Sequence, residues 1–315
     1  MMYAIIGAGM AGLACAEELT SRGFNVTLLD KSRGPGGRMS SRRVETILGT
    51  ASFDHGAQYF TARDPSFSAR VARWADDGVV AKWVAAGAES WVGVPAMNAP
   101  LRSMAARQSI IWSARTAAMT YRHNKWHLSG ENVPTTAFDG VVVALPAEQT
   151  APLLTPWEAD FASIVGAAKS APCWTVMLAF SEPLPTKTIV IADDEVIGWA
   201  ANNSNKPYRS GPDTWVIQAD QDWSTAHLEQ PPEEVIAAMT ERLAYCLMKK
   251  LPEPIFATAH RWRYARSANA GRVALYNPIL RLGVCGDWLL GSRVECAWLS
   301  GTRLAENIIA AHANG

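Results

Sequence analysis

Residues 3–19 read YAIIGAGMAGLACAEEL, and this stretch decides the fold. Tyr3 to Ile6 is apolar and strand-like. Gly7, Gly9 and Gly12 follow with G-x-G-x-x-G spacing, and Ala11 to Arg22 has the pattern of a helix that Gly23 stops. Asn25 to Leu29 reads as the next strand, so the chain opens on a βαβ unit and a parallel sheet. Gly7 permits a tight turn, Gly9 lets the backbone approach a pyrophosphate, and Gly12 lets helix and strand pack closely. The free N–H groups of the helix N-terminus then face the phosphates. Asp30 lies 18 residues after Gly12, where its carboxylate can accept from ribose hydroxyls.

The opening turn alone does not distinguish NAD from FAD; two other segments do. GPGGRMSS, residues 34–41, follows the second strand closely and places Gly36, Gly37 and Arg38 in a loop where an arginine can meet pyrophosphate charge. RLGVCGDW, residues 281–288, is a late buried strand that ends in Gly286-Asp287 shortly before the terminal helix, Glu295 to Ala311. That places a second strand end at the switch-point edge of the sheet. Asp287 could accept from ribityl hydroxyls, and the helix behind it could stabilise charge on a flavin ring.

Composition narrows the class. The 315 residues contain 29 Lys plus Arg and 29 Asp plus Glu, a balance without the signature of a nucleic-acid-coating or membrane-surface protein. No run of 18 apolar residues exists, and Glu17 and Glu18 interrupt the apolar N-terminus, which has no basic leader. Five cysteines without C-x-x-C spacing argue against a disulfide framework and a zinc site, so no metal is expected, and reduced thiols fit a cytoplasmic protein. Thirteen tryptophans call for a large core, a flat aromatic ligand, or both.

Further along, Asp64-Pro65 starts a helix through Asp77, and Asn98 with Pro100 starts another. Short strand patterns fill residues 109–144, and the last of them, GVVVALP, is apolar enough for a strand buried on both faces. Strands are expected at Val176–Phe180, Thr188–Ile191, Val196–Ala200 and Thr214–Ala219, and an amphipathic helix at Glu233–Lys249. The fold expected is α/β: a discontinuous Rossmann-like FAD-binding domain (1–62, 99–165 and 260–315) with an α+β substrate domain (63–98 and 166–259) on a mixed or antiparallel sheet.

G-A-G-M-A-G, Asp30, the G-G-R loop, FDHGAQYFT (Phe53 to Thr61) and the Gly-Asp before the last helix resemble the amine-oxidase-like FAD flavoproteins. Within these, FDHGAQYFTARDPSF and HRWRYA (His260 to Ala265) resemble the renalase group, especially its bacterial members. The resemblance covers both ends of the chain well and the middle poorly. It implies that Gly7, Gly9, Met10, Ala11, Gly12, Asp30, Lys31, Arg38, Gly56, Ala57, Gln58, Asp287, Val294, Glu295, Cys296 and Ala297 bind FAD, with Gly56–Gln58 near the isoalloxazine. Asp30 replaces the commoner Glu. No cysteine is obviously placed for covalent attachment, so a dissociable flavin is expected.

A second nucleotide fingerprint is absent, which points to one flavin taking hydride from a small organic donor and passing electrons to O2. The resemblance implies that the donors are the 2- and 6-dihydro isomers of NAD(P)H, returned to NAD(P)+ with formation of H2O2. Tyr59, Trp288 and His260 are the candidate catalytic residues, and Phe60, Trp174, Trp199, Trp223 and Tyr264 are further candidates for an aromatic wall. Arg261, Arg263, Arg266 and Arg272 could bind substrate phosphates or decorate a solvated strand edge. Three alternatives stay open. An amine oxidase predicts an aromatic cage and a lysine-bound water near the flavin, and no lysine is assignable there. A desaturase or isomerase predicts an aliphatic tunnel with membrane contact. A non-catalytic flavin sensor predicts a partner surface. Neither nucleic acid nor membrane is expected as a partner, and the sequence leaves the oligomeric state open.

Overall fold

The computed structural model describes residues 1–313. Its first layer is a six-stranded sheet ordered β17-β18-β11-β1-β2-β7. The strands are β1 (Met2–Ile6), β2 (Asn25–Asp30), β7 (Ser109–Trp112), β11 (Gly140–Val143), β17 (Leu275–Asn277) and β18 (Leu282–Val284). All neighbours are parallel except β17 with β18. β11 and β18 are buried at every position, so their apolar runs carry no alternation. The hairpin β3 (Ser41–Thr46) and β4 (Gly49–Asp54) leads out of this layer. The short pair β5 (Val80–Lys82) and β6 (Trp91–Gly93) follows. β8 (Arg115–Arg122), β9 (Lys125–Glu131) and β10 (Ala137–Phe138) form a small antiparallel sheet between β7 and β11.

Helix α1 (Met10–Ser21) packs against the long last helix α8 (Val294–Ala313). The contact is close because Gly301 has no side chain: a Cβ there would strike the carbonyl oxygen of Ala11. α2 (Pro65–Asp76) begins where expected, its N–H groups at Ser66 and Phe67 capped by the Asp64 carboxylate with Pro65 in the first turn. α3 (Ala99–Ala105) completes that face, and α4 (Ala147–Leu154) and α5 (Ala159–Ala167) cover the other.

The second layer is an antiparallel sheet ordered β13-β14-β15-β12-β16. Its strands are β12 (Ser170–Phe180), β13 (Val190–Ala192), β14 (Ile197–Asn202), β15 (Asp213–Ala219) and β16 (Phe256–Ser267). α6 (Gln221–Ala226) follows β15. α7 (Pro232–Leu247) lays Val235, Met239, Leu243 and Leu247, one helical stripe, against the back of the sheet, over Val176, Leu178, Ile217 and Trp215. α7 ends at Leu247 because Met248 turns left-handed, φ 51°, two residues short of the sequence expectation. The sheet also moves one boundary. β16 crosses residue 260, where the sequence places the return to the first domain; the six-stranded layer resumes at Leu275.

Candidate active site

The two sheets meet over a continuous cavity of about 2150 Å3. Drug-sized ligands occupy pockets of about 300–1000 Å3, so this one has room for a dinucleotide and a second molecule. One end is the β1–α1 turn. A Cβ at Gly12 would collide with the carbonyl oxygen of Gly7, and one at Gly7 would lie 2.5 Å from that of Ala144 at a φ of +106°. Around Gly9, by contrast, the space is open. Gly12 therefore closes the turn while Gly7, Gly9, Met10 and Ala11 face the cavity. The first turn of α1 has neither an acidic residue nor a side-chain cap, which leaves its N–H groups and the positive end of the helix for an anion. Asp30 accepts from the amides of Ala8 (2.7 Å) and Ser32 (2.8 Å), which fixes the carboxylate on the cavity wall beside Lys31.

Arg38 and Asp287 stand 249 positions apart in sequence and meet across the middle of the cavity. The guanidinium of Arg38 donates to Asp287 Oδ1 at 2.5 Å and to Ser267 Oγ at 2.6 Å. Gly56, Ala57 and Gln58 line the same region, and Gly56 must be glycine because a Cβ would strike the carbonyl oxygen of Arg38. Val294 and Ala297, from the first turn of α8, complete this stretch. Glu295 and Cys296 do not join them. Glu295 is buried behind the wall, where its Oε1 accepts from the amides of Arg63 and Asp64 at 2.6 Å each, tying α8 to the start of α2. Cys296 is in the core. Successive helical residues point about 100° apart, so a run of four cannot all face one ligand.

The far end is built on the second sheet. Register places Trp199, Gln218, Thr175 and His260 in one row across β14, β15, β12 and β16. Cross-strand partners share a face, and Trp199, Gln218 and His260 line the cavity. Gln218 donates to the Gly56 carbonyl at 2.7 Å, which locks the row to the first domain. Tyr59 leans on Trp199 with ring centres 5.3 Å apart, and Tyr264 and Trp262 extend the aromatic wall. His55, which the sequence reading left out of the site, packs edge-on against His260 and stacks on Trp262, whose Nε1 donates to the His55 carbonyl at 2.9 Å. Burial, then His260 and Arg42, push His55 down to about 4, and burial, then Arg42, lower His260; both rings are therefore neutral at pH 7. Among the described residues, His55 Nδ1 and Trp199 Nε1, both on the cavity wall, are buried polar atoms without a protein partner. Orphaned atoms grouped at one wall fit a bound molecule.

Several expected wall residues face elsewhere. Trp288 is 1 % exposed and packs in the core, its Nε1 donating to the Leu145 carbonyl at 3.1 Å. Trp174 is buried with Nε1 on the His227 carbonyl, Phe60 is in the core of the first domain, and Trp223 stacks on His227 outside the cavity. Arg261, Arg263 and Arg266 do line the mouth, whereas Arg272 does not. Arg261 and Arg263 share Glu229, at 2.6 and 2.7 Å. Among the described residues, the carboxylates on the cavity wall are Asp30, Glu131, Glu148 and Asp287, and none comes from the second sheet. Lys206, which no motif marked, is wholly buried behind Gln58, to which its ammonium donates at 3.2 Å.

The description "Flavin containing amine oxidoreductase" matches residues 81–309, and "NAD(P)-binding Rossmann-like domain" matches residues 5–85. Putrescine oxidase superposes with a TM-score of 0.74 at 13% identity, covering 98% of this chain and 99% of that one. Cyclohexylamine oxidase from Brevibacterium oxydans IH-35A gives 0.71 at 13% identity, over 99% of each chain. The L-amino-acid oxidase of Notechis scutatus scutatus is 52% identical over 42 residues, 13% of this chain and 8% of that protein. The curated relatives are matched over 10% or less of their own length.

Proposed function

From the premise that this chain belongs to the flavin containing amine oxidoreductases and carries FAD, we infer that it oxidises a planar, anionic hydride donor: a misplaced-hydride isomer of NAD(P)H, converted to NAD(P)+. The observation that carries this is the charge of the far wall. It offers aromatic faces, neutral imidazoles and three arginines, two of them paired with Glu229 outside the cavity wall, and no carboxylate of the second sheet lines it to receive an ammonium. A dinucleotide meets it with a flat ring for Tyr59 and Trp199 and with phosphates for Arg261, Arg263 and Arg266.

The residues present fit FAD. The glycine turn and the uncapped α1 would take its pyrophosphate, Asp30 its ribose, and Gly56–Gln58 would lie along its ring. When bound, FAD supplies the two-electron acceptor, and its reoxidation by O2 gives H2O2. The protein holds the donor's reacting carbon against the ring, excludes water with its aromatic wall, and presents no charged base, which a substrate that leaves as an aromatic cation does not need. The flavin is held non-covalently. Cys173, the thiol on the cavity wall, is pushed by burial up to about 11 and is a poor nucleophile.

The test is an anaerobic stopped-flow screen of the flavin-loaded protein. The 6-dihydro isomer of NAD should bleach the flavin at least a hundredfold faster than ordinary NADH, benzylamine or putrescine. An amine that bleaches it fastest would establish the second reading, a flavin amine oxidase, which the aromatic pair Tyr59–Trp199 also suits.

A further inference from the structure

The interior behind Gln58 contains two cations and one anion. Asp54, Lys206 and Arg209 have side-chain exposures of 0, 0 and 2 %. Asp54 Oδ2 accepts from Arg209 at 2.6 Å and from Lys206 at 3.2 Å, and Oδ1 is taken by Ser41 Oγ (2.7 Å) and the Met97 amide (2.9 Å). Among the described residues, no second carboxylate contacts either cation. Burial pushes the Asp54 carboxyl up, but the two cations outweigh it and hold it ionised, well below the usual carboxylate range. Burial pushes Lys206 down to about 8, so it is still charged at pH 7. One ion pair would have been self-contained. The third member leaves a net charge of +1 in a buried interior, where an uncompensated charge is expensive unless an anion answers it.

The excess charge has a defined outlet. Lys206 lies over the ring of Trp83, 5.2 Å from its centre, and donates its remaining bond to Gln58 Oε1. Gln58 Nε2 in turn donates to the carbonyls of Asp54 and Gly56. The amide is therefore held in one orientation, with its acceptor end turned to the cation, and it sits on the cavity wall. Of the other charged and titratable groups on this stretch, His55 and His260 are neutral, Arg42 and Arg43 are cations, and the Asp287 carboxylate is paired with Arg38, so no unpaired negative charge opposes the field there.

We propose that the Lys206–Asp54–Arg209 group is an electrostatic positioning device for the flavin: its one uncompensated positive charge acts through Gln58 on the ring and raises the two-electron reduction potential of bound FAD. Two electrons entering the ring bring negative charge, and a fixed cation that needs no rearrangement favours the reduced form. This rests on the reading that the ring lies along residues 56–58.

The test is the reduction potential at pH 7, measured by dye equilibration on flavin-loaded wild type and the variants Lys206→Met, Lys206→Gln and Lys206→Arg, each with its FAD affinity. Met and Gln both remove the charge and leave a balanced Asp54–Arg209 pair, while Gln keeps a donor for Gln58. Both should shift the two-electron equilibrium at least tenfold toward oxidised flavin, about 30 mV, and Arg should stay within threefold of wild type. Unchanged potentials in Met and Gln at wild-type FAD affinity would overturn the proposal. A shift in Met alone would overturn the charge argument in favour of the hydrogen bond. If the Lys206 variants do not fold, Arg209→Gln removes the other cation and must shift the potential in the same direction. Wild type that binds no FAD would sink both this and the functional reading, whereas an amine as best substrate would sink only the latter.

Discussion

The six-stranded and five-stranded layers enclose the same cavity by different means. In the first, the backbone is the binding surface. Gly7, Gly12 and Gly56 each sit where a Cβ would run into a carbonyl oxygen, and the uncapped α1 N-terminus opens on the cavity. In the second, side chains are the surface, and which ones face inward depends on pairing register: Trp199, Gln218, Thr175 and His260 share a row only because β14, β15, β12 and β16 align them. A backbone site leaves its mark as residue type. A side-chain site leaves its mark as geometry.

The contrast can be broken first at Gly12. Gly12→Val puts a branched side chain onto the Gly7 carbonyl, so it should yield no folded, flavin-loaded protein; recovery of yellow protein with a wild-type circular dichroism spectrum would show that the turn tolerates what its geometry forbids. A tryptophan pair sharpens it next. Trp288→Ala should cost about 3–5 kcal/mol in chemical denaturation, as large buried-aromatic truncations do. Trp199→Phe should stay within about 1 kcal/mol of wild type yet raise KM roughly tenfold, the worth of one lost polar contact of about 1.4 kcal/mol. The opposite pattern would exchange their roles. The remaining test concerns acid. His55 titrates near 6.5 when unfolded and near 4 when folded, so the unfolded chain gains a proton the native one refuses. Its contribution is complete above pH 6.5 and is lost as the pH falls toward 4, about 3 kcal/mol. His55→Asn should flatten that part of the stability profile relative to wild type.

The same contrast explains what was legible in the sequence. The βαβ opening, the Gly36–Arg38 loop, the strand before Asp287 and the Asp64 cap are all marked by residues with narrow conformational uses, and the structure has each in place. α4 and α5 were missed because Pro146, Pro152 and Pro156 break the helical pattern of residues 146–167; in the structure Pro152 sits inside α4. Trp288 was misplaced because closeness to a motif does not say which way a side chain turns: the short helical turn after Gly286 sends it into the core while Asp287 faces the cavity. His55, Lys206 and Arg209 carry no local signal. Their meaning comes from residues more than 140 positions away.

The partners of Arg38 and of α1 come late in the chain. Asp287, β18 and α8 all follow residue 281, and β11 waits for β18 as its outer neighbour. During translation, then, the nascent glycine turn leaves the ribosome long before the segments that wall it in. A polypeptide stopped before residue 281 has the glycine turn but lacks Asp287, β18 and α8, so it holds the fingerprint without the segments that wall it in.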